Sequence, residues 1–184
     1  CGMTHTLAHT LAHTAHHQTF DVRKIGQSTP LAGAANTITV TIQTSASLLG
    51  TDSSTVTILG LTNAPNNPSL PLSSVENGGA DLFSDGATQG KGALSSGTLT
   101  LAVYAGQTVT AGTRYAFSFT ITNPSYAQNA GTVTIQASGT AGFASAAMST
   151  DIADVLGGNR RRQAHSCGGG TGERERGERM RERM

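Results

Sequence analysis

The stretch Asn36 to Gln43 reads NTITVTIQ, with Ile38, Val40 and Ile42 on one phase and Thr37, Thr39 and Thr41 on the other. A period of two over eight residues suits a strand buried on one face and wetted on the other, and no helix can use it. The pattern returns in STVTILGL (residues 54–61), through Val56 and Ile58, and in GTLTLAVY (residues 97–104), through Leu99, Leu101 and Val103. RYAFSFTIT (residues 114–122) alternates through Tyr115, Phe117, Phe119 and Ile121, and GTVTIQA (residues 131–137) through Val133 and Ile135. A shorter piece, residues 69–72, contains Pro71, which confines it to a sheet edge.

The joints between these pieces are turn chemistry. Asn63-Ala-Pro, Asn77-Gly-Gly, Asp85-Gly, Ser96-Gly and Asn123-Pro each supply a positive φ or a fixed one. About seven short strands, apolar on one face and joined by such turns, predict an all-β chain: an antiparallel β-sandwich of immunoglobulin-like type. The Thr-x-Thr pairs at 39/41, 55/57, 98/100, 120/122 and 132/134 are too unevenly spaced for a solenoid repeat.

The two ends of the chain differ from its middle. Residues 1–30 are rich in His, Thr and Ala and are predicted to be a tail, disordered or weakly helical. Residues 158–184 are Gly, Arg and Glu almost throughout and are predicted to be a second, disordered tail. The domain is therefore expected over residues 31–157. A chain that opens on Cys1 reads as a piece of a longer one, and it contains no apolar run long enough for a signal core or a membrane span.

Charge and cysteine exclude several functions. The formal net charge is +1, but residues 31–157 hold Asp52, Glu76, Asp81, Asp85, Asp151 and Asp154 against only Lys91 and Arg114. That domain lacks the cations on which nucleic-acid affinity rests. The two cysteines, Cys1 and Cys167, lie outside it, so it has no disulfide, and it has no His either. Ser-His-Asp and Cys-His catalysis have no base there, and no catalytic residue and no cofactor are expected.

Three weak candidates remain. His5, His9, His13 and His17 recur every four residues, a spacing that would line one face of a helix and could hold a transition metal, but on a tail with no packed scaffold behind it. Asp81 and Asp85, in GGADLFSDGATQGKG, could serve calcium or act as a carboxylate pair, though the regular Asp-x-Asp-x-Asp-Gly spacing is absent. Gly86 to Gly92 has one residue too few between its glycines for a phosphate loop, and Gly92 stands where Ser or Thr would hold magnesium.

The run VTAGTRYAFSFTITN (residues 109–123) resembles the fibronectin type III and wider immunoglobulin-like pattern, in which a Gly-Thr-x-Tyr turn leads into a late strand. The resemblance implies that Tyr115 turns its hydroxyl back onto nearby backbone while its ring enters the core. It departs from that pattern in having no Trp. Over residues 31–150 the order NTITVTIQT, TVTILGLTNA, SDGATQGKGALSSGTLTLAV, AGQTVTAGTRYAFSFTITNPS and FASAAM is similar to Thr/Ser-rich modules repeated in large surface or secreted proteins of microalgae and other protists. That resemblance implies a non-enzymatic structural or adhesive module, extracellular or on the cell surface, whose partners are adjacent copies of itself or surface glycans and proteins. The alternative it leaves open is a carbohydrate- or calcium-dependent binding module.

Overall fold

The computed structural model describes residues 18–126, 131–139 and 141–150. Its strands in chain order are β1 (Phe20–Gln27), β2 (Ala35–Thr44), β3 (Leu48–Leu49), β4 (Thr55–Leu59), β5 (Asn67–Pro71), β6 (Ser73–Glu76) and β7 (Phe83–Ser84). They continue as β8 (Lys91–Ser95), β9 (Thr98–Val103), β10 (Thr108–Val109), β11 (Arg114–Thr122), β12 (Thr134–Ser138), β13 (Phe143–Ala147) and β14 (Ser149–Thr150). One sheet has the order β14-β1-β2-β11-β6. The other runs β13-β12-β4-β9-β8-β5, with β7 also on β9, and β3 and β10 form a small ribbon. The chain is an all-β sandwich.

The alternation read from the sequence decides which side chains fill it. Ile38, Val40 and Ile42 of β2, Val56 and Ile58 of β4, Leu99, Leu101 and Val103 of β9, Phe117 and Phe119 of β11, and Ile135 of β12 are all buried in one core. Ile121 and Val133 are only partly buried and pack against its margin. With no Trp in the chain, an aromatic contact between the sheets is made by Phe83 of β7 and Phe117 of β11, both fully buried, their rings edge to face with centroids 5.5 Å apart.

The expected domain start at residue 31 is corrected. Phe20–Gln27 is a full strand, paired antiparallel with β2 from Phe20↔Thr44 to Gln27↔Ile38. Its register shifts between Phe20 and Val22, so the alternation is broken and only Phe20 and Ile25 are buried. Arg23 repairs the irregularity: its Nη1 donates to the Phe20 carbonyl (3.0 Å) and its Nε to the Ala147 carbonyl (2.8 Å). The Phe20 ring meets Phe143 of β13 at 5.0 Å between centroids, which ties the first strand to the last hairpin.

The strands are more numerous than the expected seven or so, while the edge piece read at residues 69–72 is present as β5. β5 carries Pro68 and Pro71 and forms the edge of its sheet, where a missing N–H is tolerated. At the other side of the molecule β13 leads into β14, which crosses to the first sheet and pairs parallel with β1 through Lys24↔Ser149 and Ile25↔Thr150. The described chain therefore enters at one end of the sandwich, beside Thr44, and leaves pointing toward the opposite end, where β1 turns into β2.

Candidate functional site

The acidic loop lies between β6 and β8. It begins with an Asn-Gly turn, Asn77 and Gly78 both at positive φ (52° and 65°), and the Asn77 amide donates to the Arg114 carbonyl at 2.8 Å. Gly79 then passes so close over β11 that a Cβ there would strike the Ala116 carbonyl, which is why Ala116 is buried although it faces away from the core.

Asp85 follows β7 and folds the loop around its own carboxylate. Oδ1 accepts the N–H groups of Thr88 (2.8 Å) and Ala87 (3.0 Å), and Oδ2 accepts the Ser69 hydroxyl of β5 (2.7 Å). These donors, the Thr88 N–H first, then the Ser69 hydroxyl and the Ala87 N–H, lower its pKa from 3.8 to about 2, with Lys91 adding a smaller pull. A hydrolytic general acid needs its pKa raised, and Asp85 is moved the other way. Its two oxygens already hold three donors, so it works as a staple between the loop and β5.

Asp81 belongs to a different set of partners. Its Oδ2 accepts the Ser74 hydroxyl of β6 at a long 3.4 Å, and its carbonyl accepts the Gln89 amide at 2.7 Å. Among the described residues no group of three or more His, Cys, Asp or Glu is placed to hold a metal ion. Gly86 to Gly92 connects β7 to β8, a strand, so its amides do not open a helix as a phosphate site requires. His5, His9, His13 and His17 lie outside the described residues.

The polar cluster that the sequence reading missed sits at the end where β1 turns into β2. Asn36 is 1% exposed and fully engaged: its Oδ1 accepts the N–H groups of Ser28 (3.1 Å) and Thr29 (3.2 Å), and its Nδ2 donates to Gln27 Oε1 (3.0 Å) and Asn123 Oδ1 (2.9 Å). Asn123 passes the connection on, its Nδ2 donating to the carbonyls of Thr29 (3.0 Å) and Leu31 (2.9 Å). The signal was present in NTITVTIQ, because Asn36 falls on the same phase as Ile38, Val40 and Ile42. A polar residue on the inward phase must find partners, and this one gathers residues 27–31 and the end of β11.

At the opposite end the Tyr115 ring is in the core and its hydroxyl accepts the N–H of Thr110 (3.3 Å). No model of a known protein family matches this chain, and no curated protein matches it either.

Proposed function

We propose that the sandwich is a non-enzymatic structural or adhesive module, a spacer of immunoglobulin-like type in an extracellular or cell-surface protein. The observation that carries this reading is Asp85, the best candidate for chemistry, held ionised by three donors of its own fold and serving as a loop anchor. Tyr115 supports the immunoglobulin-like part, its ring buried and its hydroxyl on upstream backbone. The outer face of the second sheet supports a surface setting: Thr57, Thr100 and Gln136, side by side there, are neutral groups that stay wet without inviting ionic partners, while on the first sheet Thr39, Thr41 and Ser118 share the face with Lys24. Chain direction suits a spacer, since entry and exit point to opposite ends.

The test is a thermal melt with and without calcium. The spacer reading expects an unchanged midpoint, because the oxygens of Asp85 are taken by protein donors. A midpoint that rises with calcium concentration would replace it with a calcium-dependent binding module.

A further inference from the structure

The turn from β6 into the acidic loop carries a chemistry of its own. Glu76, Asn77, Gly78 and Gly79 form a tight turn, closed by the Gly79 N–H on the Glu76 carbonyl (3.1 Å), with Asn77 and Gly78 both at positive φ and both exposed. Asn77 is the one Asn of the chain that is followed by Gly. Asn67 and Asn123 precede Pro, which has no N–H, and Asn36, Asn63, Asn66, Asn129 and Asn159 precede residues with a side chain. A backbone nitrogen reaches the carboxamide of the residue before it most readily where no Cβ crowds the approach.

The geometry points to Asn77 as a site of self-modification, at which the chain deamidates when the β6 edge opens and then can no longer close that edge. The Gly78 nitrogen, giving its proton to water, bonds to the side-chain carbonyl carbon of Asn77. The bond from that carbon to Nδ2 breaks, ammonia leaves, and a cyclic imide joins the two residues. Water then opens the imide at either carbonyl, leaving aspartate or isoaspartate at that position.

The fold controls the first step. The Asn77 amide donates to the Arg114 carbonyl of β11 at 2.8 Å, which holds the side chain across the sheet edge, so β6 must part from β11 before the ring can form. All of β6 is exposed, and it meets β11 only at Glu76↔Ala116, Ser74↔Phe117 and Ser73↔Ser118, with a shift in register. Such an element opens locally without global unfolding.

The product does not fit the old place. Either form replaces an amide donor with a carboxylate and adds negative charge to a loop that already holds Glu76 and Asp81. Isoaspartate also lengthens the backbone just before Gly79, which lies so close over β11 that a Cβ there would strike the Ala116 carbonyl. Asp85-Gly86 on the same loop is the internal control. It can form the same imide by losing water, but its oxygens are held by the N–H groups of Thr88 and Ala87 and the Ser69 hydroxyl.

Peptide mapping by mass spectrometry tests this on the full chain kept folded at mildly alkaline pH and on the same chain in guanidinium chloride. In the folded chain Asn77 is expected to be the first Asn converted to a carboxyl, with isoaspartate among the products and Asp85 unchanged. In guanidinium Asn77 reacts at least about tenfold faster, because no edge has to open first. Gly78→Ala, measured there so that the strain of a side chain at positive φ plays no part, stops most of that reaction. Hydrogen exchange of the modified, folded chain shows protection lost at β6 and the amides of β11 that face it, with β4 and β9 unchanged. An Asn77 that keeps its amide in the folded chain or reacts after another Asn, a rate equal in both conditions, or a modified chain with β6 still protected overturns it.

Discussion

Two short polar side chains of the same shape, the amide of Asn36 and the carboxylate of Asp85, do their work by opposite routes. Asn36 is neutral and buried, and its removal takes an acceptor from the half-buried Thr29 N–H and a donor from Asn123 Oδ1, while the Ser28 N–H keeps the Thr37 carbonyl. Asn36→Ala should therefore cost about 2–3 kcal/mol in a urea melt, more than a surface substitution in the same strand. Asp85 is charged and only partly covered, and its contribution shows as a pH dependence. Its carboxyl sits at about 2 in the fold against an ordinary 3.8, so the stabilisation is complete above about 3.8 and disappears as the pH falls through about 2. Wild type should be more stable than Asp85→Asn near neutral pH, and the two should converge across that acid window. A constant difference at every pH would mean that Asp85 contributes through shape and not through charge.

At the scale of elements, β1 is the sharpest test, because the sequence suggested a tail where the structure has a strand. Deleting residues 1–30 should remove Phe20 and Ile25 from the core, uncover Phe143 and expose the edge of β2, giving a chain that melts far below the full-length protein or does not fold. A truncated chain with an unchanged midpoint would return residues 20–27 to the tail. The strands that could be read in advance are β2, β4, β9, β11 and β12, whose apolar residues alternate in the sequence, and β5, which its proline marks as an edge. The others escaped for physical reasons. FDVRKIGQ carries a bulge and three charges, KGALS uses Gly92 where the leucines of β9 already fill the space, and FASAA has one large apolar residue held by a ring contact from another strand. The candidate site was legible only in part: Asp85 stood out by composition, but the Ser69 hydroxyl that pins it comes from β5, and no spacing in the chain announces that pair.

For the whole molecule the central claim is that this sandwich transmits position and load between its two ends. The geometry makes that claim mechanical. β14 lies parallel to β1, so pulling the chain from both sides draws the two strands past each other and loads the β1–β2 and β1–β14 hydrogen bonds together, in shear. Pulling instead on Ala35 and Thr122, which are paired at one end of the β2–β11 ladder, opens that ladder one rung at a time. Forced unfolding is governed by the barrier to unfolding and not by equilibrium stability, so the two directions can differ in one protein. The direct measurement is single-molecule force spectroscopy on the same chain held two ways. One attachment uses its own Cys1 and Cys167, and the other uses Ala35→Cys and Thr122→Cys with the natural cysteines replaced by Ser. The account predicts one abrupt rupture at clearly higher force through Cys1 and Cys167 than through the paired positions. Equal or lower force along the natural direction would contradict a load-transmitting spacer.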